Sequence, residues 1–169
     1  MGINIEIKAR CENLDLFKSR LVQLPVTFEG EDIQIDTFFN APNGRIKLRE
    51  SRLYGDILIP YTRPDEQGPK QSTYELIPVS SPLKIKMLLG EILGLKGEVR
   101  KKRSIYFFEN VRIHLDEVQK LGSFTEFEAV VDDENDIEEN RVKTQWLLEY
   151  FRITEDQLVK VAYADLLKL

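Results

Sequence analysis

Two carboxylates that alternate along one predicted strand are the first sign of chemistry in this sequence. Residues 123–128 read Ser-Phe-Thr-Glu-Phe-Glu, so Glu126 and Glu128 point to the same side of an extended chain. Their Cα atoms would lie roughly 6.5–7 Å apart, which lets both side chains reach one hard cation. Because like charges repel and burial disfavours each anion, we expect a positive charge between them. For one such pair taken alone, a solvent-exposed strand face is the simpler interpretation.

The same alternation of charged side chains recurs in nearly every other predicted strand. Residues 111–116 read Val-Arg-Ile-His-Leu-Asp, which places Arg112, His114 and Asp116 on one face. Further strands carry acids or bases opposite an apolar face, at Glu6, Lys8, Lys47, Arg49, Arg63, Glu75, Lys101 and Arg103. Because helices need the apolar faces for docking, the charged faces should point together, away from the helices.

Clustered cations and carboxylates suit the binding of a polyphosphate together with a divalent metal ion. Arginine makes bidentate contacts to phosphate and lysine supplies point charges, whereas carboxylates hold Mg²⁺ or Mn²⁺. Phosphoryl or nucleotidyl transfer requires this division of roles. The sequence contains no Walker-type glycine-rich loop, zinc-ligand cluster or Ser-His-Asp arrangement. Residue types alone leave a salt-bridged structural barrel as an equally good interpretation.

The elements that must position these residues follow from the hydrophobic periodicity. Strands are predicted at residues 3–9, 32–39, 45–53, 57–64, 72–79, 99–108, 111–116 and 123–128. Helices are predicted at 14–24, 82–93 and 137–151, with a helical turn at 117–121 and a short helix opened by a capping box at 154–157. The prediction is an α+β fold in which about eight antiparallel strands close into a barrel with a charged lumen.

Three packing expectations accompany this fold. The apolar residues of the second helix should face the core; they are Leu83, Met87, Leu88, Ile92 and Leu93. Trp146 in the third helix is expected to anchor the core. Residues 64–71 are rich in proline, glycine and charge, which predicts an exposed loop at the lip of a binding site.

Length, charge and cysteine content limit the class of protein. The 169 residues, 42% of them hydrophobic, suffice for one substantial core, and we expect a single domain over residues 1–169. The net charge of −5 argues against a broad nucleic-acid-binding surface but not against a local cationic pocket. One cysteine excludes an internal disulfide framework, and no apolar run approaches 18 residues. We therefore expect a cytoplasmic protein that binds neither nucleic acid nor membrane.

Several motifs, taken in order, resemble the CYTH superfamily of triphosphate tunnel metalloenzymes. Asn-Ile-Glu-Ile-Lys at 4–8 is similar to the opening E-x-E-x-K of that family. The further motifs are Asp-Thr-Phe-Phe at 36–39, Lys-Leu-Arg at 47–49, Tyr-Thr-Arg at 61–63, Lys-Lys-Arg at 101–103 and the strand at 111–116. Residues 121–128 and 163–167 are most similar to the class IV adenylyl cyclase branch. The resemblance covers nearly the whole chain.

This resemblance implies a tunnel of eight antiparallel strands with helices outside and a metal-dependent activity on a triphosphate. The implied ligands of Mg²⁺ or Mn²⁺ are Glu6, Glu126 and Glu128, with Asp116 assisting, and the catalytic set is Glu6, Lys8, Glu126 and Glu128. The implied triphosphate ligands are Lys8, Lys47, Arg49, Arg63, Lys101, Arg103 and Arg112. The substrate would be ATP, inorganic triphosphate or thiamine triphosphate, and the protein a monomer or a homodimer.

One departure from the family pattern keeps two classes of function open. Asn4 stands where the family has a glutamate, which removes one anionic ligand from the metal site. The first class is a Mg²⁺- or Mn²⁺-dependent enzyme that cyclises or hydrolyses a triphosphate, and the second is a non-catalytic module that binds triphosphorylated ligands. His114 is interpreted as a hydrogen-bonding residue for phosphate or base recognition, with proton transfer as the alternative.

Overall fold

The computed structural model describes residues 1–66 and 68–169, and a closed antiparallel barrel is its main feature. The strands are β1 (Gly2–Arg10), β2 (Thr27–Phe39), β3 (Arg45–Ser51), β4 (Ile57–Thr62), β5 (Lys70–Tyr74), β6 (Ile77–Pro78), β7 (Leu95–Phe108), β8 (Val111–Val118) and β9 (Gly122–Val131). The α-helices are α1 (Leu14–Leu21), α2 (Pro82–Leu93), α3 (Ile137–Phe151) and α4 (Tyr163–Leu166). Short 3-10 turns lie at Glu134–Asp136 and Glu155–Gln157.

Within the described residues, eight strands form the ring in the order β3-β2-β7-β8-β9-β1-β5-β4, and pairing of β4 with β3 closes it. All of these pairings are antiparallel, and the two-residue strand β6 is added to β4. Closure removes the unpaired strand edges that an open sheet would present. The predicted α+β fold, a closed eight-stranded antiparallel barrel with helices outside, is confirmed.

The main core lies between the outer face of the barrel and the helices α1 and α3. Alternation places Ile5 and Ile7 of β1 on that outer face, where both are buried. Phe17 of α1 stacks on Phe151 of α3 with ring centroids 4.0 Å apart, and Phe127 of β9 lies 5.6 Å from Phe151. Asn13 caps the N-terminus of α1, because its Oδ1 accepts a hydrogen bond from the backbone N–H of Leu16 at 2.9 Å.

A second, smaller core covers one end of the barrel with the C-terminal segment. Tyr163 and Ala164 of α4 pack against residues on the lumen side of the strands, among them Phe38, Val99 and Phe124. The backbone N–H of Val159 donates to the carbonyl of Lys8 at 2.8 Å, which ties the segment to β1. The lumen is therefore bounded at this end by α4.

Two packing expectations are wrong. In α2, Leu83, Met87, Leu88 and Ile92 are 52–68% exposed, and no residue of the helix is buried. The helical period is as predicted, but the main core lies under α1 and α3, so that only one side of α2 meets the strands. Trp146 is 43% exposed and stacks on Phe108 and Tyr150 at the rim of the main core rather than at its centre.

Three local predictions also differ from the structure. The helical turn predicted at 117–121 is instead the end of β8 and a tight turn into β9. The strand predicted at 72–79 is split into β5 and β6, and Glu75 between them is exposed and pairs with the N-terminal amine at 2.9 Å. In the loop predicted at 64–71, residue 67 lies outside the described residues, and Lys70 already begins β5. None of the helices in the described part of the chain has the length and apolar character needed to cross a bilayer.

Candidate functional site

The charged faces of the strands line one cavity of about 490 Å³ inside the barrel. Its charged lining consists of Glu6, Lys8, Asp36, Lys47, Arg49, Arg63, Lys101, Arg103, Arg112, Glu126 and Glu128, with His114 among them. Cations outnumber carboxylates in this set. The volume is in the range of small-molecule sites, so the cavity is suited to a compact polyanion.

Strand register brings the predicted metal ligands to neighbouring positions on β1, β8 and β9. Glu6 lies opposite Glu128 in the pairing of β1 with β9, and His114 lies opposite Glu126 in the pairing of β8 with β9. We call Glu6, Glu126, Glu128 and His114 the acid cluster. His114 Nδ1 is 3.5 Å from Glu126 Oε2 and 3.9 Å from Glu128 Oε1.

The pKa values of Glu126 and Glu6 in the acid cluster are shifted in opposite directions. Burial favours the neutral form of Glu126, but Lys8 at 3.3 Å and Arg103 at 2.7 Å outweigh it and hold its pKa well below the usual value. Burial and the negative charge of Glu126 raise the pKa of Glu6, although Arg63 at 2.6 Å opposes them. The mutual repulsion of these carboxylates would be relieved by one more cation bound between them.

The residues present fit a divalent cation. One ligand atom each from His114, Glu126 and Glu128 lies within 4.8 Å of the other two. His114 Nδ1 is buried and makes no hydrogen bond of acceptable geometry in the described residues. Burial and the nearby Arg103 lower the pKa of His114, so its imidazole is neutral near pH 7 and can act as a donor to a metal. Carboxylate oxygens suit Mg²⁺ or Mn²⁺, and an imidazole nitrogen is compatible with the latter.

A second cluster gathers three cations around Asp36. Arg49 donates from Nε and Nη2 to the two carboxylate oxygens at 2.7 Å each, and Lys101 Nζ lies 3.0 Å and Lys47 Nζ 3.4 Å from Oδ2. Arg49 is the direct cross-strand partner of Asp36 in the pairing of β2 with β3. We call Asp36, Lys47, Arg49 and Lys101 the cation cluster. Sequence analysis missed Asp36 as a site residue, although its alternation with Gln34 and Phe38 on β2 places it on the lumen face.

The cation cluster carries more positive charge than its single carboxylate balances. Burial and the charge of Arg49 lower the pKa of Lys47 to about 8, and burial together with Arg103 lowers that of Lys101 to about 7. Burial opposes ionisation of Asp36, yet Arg49 and Lys101 hold its pKa well below the usual value. Cations that are driven towards deprotonation by their neighbours are stabilised by an added anion.

Arg103 joins the two clusters and is held mainly by Asp116, which does not line the cavity. Its Nε and Nη2 each donate to Asp116 at 2.6 Å, and Nη2 also donates to Glu126 at 2.7 Å. Tyr163 of α4 donates its hydroxyl to Asp116 Oδ2 at 2.7 Å. Asp116 is fully buried, and Arg103 outweighs burial to hold its pKa at about 2. Both oxygens of Asp116 are therefore used to orient Arg103, and Tyr163 is a second contributor that sequence analysis did not assign to the site.

Asn4 lines the cavity but is engaged away from the carboxylates. In the amide orientation that satisfies both of its polar atoms, the oxygen accepts from Arg112 Nη2 at 3.1 Å and the nitrogen donates to the Tyr74 hydroxyl at 3.2 Å. Arg112 in turn lies 3.2 Å from Glu128. Asn4 thus helps to place the guanidinium group that neutralises Glu128.

Comparison with known proteins agrees with this architecture. A protein of Methanocaldococcus jannaschii named as a candidate adenylate cyclase, MJ0240, is 27% identical over 97% of this chain and 98% of its own length. The solved structure of PH1012 from Pyrococcus horikoshii is 23% identical, covers 98% of this chain and 99% of its own, and has a TM-score of 0.85. HpAC1 of Hippeastrum, described as a candidate adenylyl cyclase with a dominant triphosphatase activity, is 15% identical, covers 99% and 95%, and has a TM-score of 0.62. The family model described as the CYTH domain matches residues 2–163, and the chain therefore belongs to the CYTH domain family.

Proposed function

We propose that this protein is a metal-dependent enzyme that binds a triphosphate in the barrel lumen and acts on a phosphoanhydride bond by cyclisation or hydrolysis. The observation that carries the proposal is the excess of cations over carboxylates in the lining of one cavity inside the barrel. Burying so many like charges without a ligand is unfavourable, and a polyphosphate relieves that repulsion. The carboxylates would hold a metal ion, which would neutralise charge on the phosphates.

In this proposal the cation cluster and the acid cluster bind different parts of the substrate complex. The cation cluster on β2, β3 and β7 would hold the phosphate chain through Arg49, Lys47 and Lys101, because guanidinium and ammonium groups bind phosphate oxygens by charge-assisted hydrogen bonds. Arg103, fixed by Asp116, stands between the clusters, where it can contact phosphate next to the carboxylates. Its fixed geometry reduces the reorganisation that substrate binding requires.

The acid cluster would hold Mg²⁺ or Mn²⁺ through Glu126 and Glu128, with Glu6 joining once a phosphate draws Arg63 away from it. When bound, the ion would neutralise charge on the phosphate oxygens and act as a Lewis acid. Lys8, 3.3 Å from Glu126, adds a positive charge on the same side of the lumen. In this arrangement Asp116 acts through Arg103, and Arg112 completes the lining beside Glu128. His114 would offer its neutral imidazole nitrogen to the same ion.

A second candidate function rests on Asn4. An amide at this position supplies no negative charge, and its hydrogen bonds to Arg112 and Tyr74 are already satisfied. The metal site then depends on three carboxylates, which favours slow turnover or binding alone. A non-catalytic module that binds triphosphorylated ligands is therefore the alternative. For either function we expect a cytoplasmic protein with a small-molecule ligand and no nucleic-acid partner.

One assay separates these functions. The protein is incubated with ATP, inorganic triphosphate or thiamine triphosphate in the presence of Mg²⁺ or Mn²⁺, and cyclic AMP, pyrophosphate and phosphate are measured. Glu126→Gln should abolish product formation, whereas Glu134→Gln, an exposed residue outside the cavity, serves as the matched control. Product with any of the three compounds supports an enzyme. Triphosphate binding without product supports the module, and the absence of binding would refute both.

A further inference from the structure

The helix α2 carries four apolar side chains on the side that faces solvent. Leu83, Met87, Leu88 and Ile92 are 68%, 67%, 52% and 65% exposed, and they recur at the spacing of one helical face. We call these four residues the α2 patch. None of them lines the cavity in the barrel. The patch is therefore separate from the proposed active site.

The side of α2 that faces the barrel is apolar as well, because Ile85, Leu89 and Leu93 are half-buried there. Lys86 forms ion pairs there with Glu98 of β7 and, at 3.6 Å, with Glu50 of β3. A helix at the surface of a globular protein usually has apolar residues on its buried side and polar residues outside, so the additional exposed apolar residues of α2 are unusual. Contiguous exposed apolar residues of this kind mark sites of protein association. The adjoining Leu95, which is 52% exposed and packs beside Gly90, extends the patch.

The exposed face of α2 is complementary to the same face of a second, antiparallel α2 helix. Lys84 and Glu91 are the charged residues on this face, and both are exposed. Turning the helix end for end about the point between Met87 and Leu88 exchanges Leu83 with Ile92 and Lys84 with Glu91. The same operation exchanges Met87 with Leu88. A second copy of the chain thus offers an apolar partner for each apolar residue and an opposite charge for each charge.

We propose that a second copy of this protein docks on the α2 patch, with the two α2 helices antiparallel across a two-fold axis. Such an interface is isologous, so each contact occurs twice. Lys84 faces Glu91 of the partner subunit, and Glu91 faces Lys84 of the partner subunit. Neither Lys84 nor Glu91 has an ion-pair partner among the described residues of its own chain, so both are available for this contact.

The size of the patch sets the strength of the dimer. Twelve helical residues span about 18 Å. The surface of one helix of that length offers less than the roughly 800 Å² per partner of a typical stable interface, unless flanking side chains contribute. Self-association should therefore depend on protein concentration, with a dissociation constant in the micromolar range. The lumen stays open in this arrangement because the patch lies on the outside of the barrel.

Sedimentation velocity of the full-length chain over a wide concentration range at low ionic strength tests the proposal. The wild type should convert from monomer to dimer as concentration rises, and Met87→Glu should remain monomeric. Lys84→Glu or Glu91→Lys alone should weaken dimerisation about tenfold or more, because each turns two attractive contacts into repulsive ones. The double variant Lys84→Glu/Glu91→Lys should restore it, as should mixing the two single variants.

These variants change exposed residues, and circular dichroism and thermal unfolding identify any that fail to fold. Parallel helices would place Lys84 opposite Lys84 of the partner subunit, and the single charge reversals would then leave dimerisation unchanged. That result would overturn the antiparallel arrangement. A wild type that stays monomeric at its highest soluble concentration, or a dimer that survives Met87→Glu, would overturn the α2 interface altogether. High salt should reduce the difference between wild type and charge variants, since exposed pairs are screened.

Discussion

Replacing Asp36 by asparagine tests whether the cation cluster forms the phosphate-binding side of the lumen. The Asp36 carboxylate is buried, receives two hydrogen bonds from Arg49 at 2.7 Å and contacts Lys101 at 3.0 Å and Lys47 at 3.4 Å. Asp36→Asn leaves three cations inside the barrel without their counter-charge, so they repel one another. A bound triphosphate supplies negative charge at the same place. We therefore expect the ligand to restore much of the stability that the empty variant loses.

The size of the effect follows from the loss of a buried ion pair. Removing one partner of such a pair destabilises a protein by about 3–5 kcal/mol. For a chain of this size each kcal/mol lowers Tm by about 2–4 °C, which gives a fall of roughly 6–20 °C for the unliganded variant. Differential scanning calorimetry in EDTA, with and without inorganic triphosphate, measures the change without a metal contribution. Triphosphate should raise the Tm of the variant more than that of the wild type, because Asp36 no longer competes with phosphate for Arg49.

Asp165→Asn is the matched control for this experiment. The Asp165 carboxylate also bridges two cations, Lys96 at 2.7 Å and Arg45 at 2.9 Å, but none of the three residues lines the cavity. Its replacement should lower Tm without increasing the gain from triphosphate. Equal gains for the wild type and both variants would refute the placement of phosphate against the cation cluster.

Three further predictions follow from the lumen. Because the pKa of Lys101 is lowered to about 7 in the empty protein and an anion favours the charged form, triphosphate binding should take up protons between about pH 7 and 9 and weaken as pH rises through that range. Calorimetry in two buffers of different ionisation enthalpy measures this uptake, and Lys101→Arg should reduce it, with Lys47, whose pKa is lowered to about 8, supplying the remainder; an unchanged uptake would contradict the assignment. Asn4→Glu should tighten Mn²⁺ binding and raise any turnover, whereas Glu126→Gln should abolish both, as followed by metal titration and product release. Arg49→Ala should weaken triphosphate binding by roughly 1.5–3 kcal/mol, about 10- to 150-fold in Kd, and unchanged affinity would remove Arg49 from the site.

Much of the barrel could be predicted from the sequence because strand alternation is a local property. A side-chain period of two decides which residues share a face, and this requires no knowledge of the neighbouring strands. Glu6 and Lys8 on β1, and Glu126 and Glu128 on β9, could therefore be assigned to the lumen before the ring order was known. The charge pattern also indicated closure, since charged faces of this length are tolerated when they enclose a solvated cavity.

The bounds of the elements and the orientation of α2 were harder to predict from the sequence. Helical periodicity predicts an apolar stripe but not whether a core lies beneath it, and the stripe of α2 faces solvent although that of α1 is buried. Trp146 was misplaced for the same reason, because a large aromatic residue at a core-like position can stack at the rim. Burial depends on which segments pack together, and no window of sequence contains that information.

The partners of the charged residues were decided by tertiary structure alone. The sequence determined that lumen faces would carry acids and bases, but register between strands determined that Arg49 meets Asp36, that Arg103 meets Asp116 and that Asn4 meets Arg112. A shift of one residue in any pairing would turn a whole strand face away from the lumen. Cross-strand side chains interact over about 5 Å although their positions in the chain can be a hundred residues apart. Pairing across such separations depends on closure of the ring, which is a property of all eight strands together.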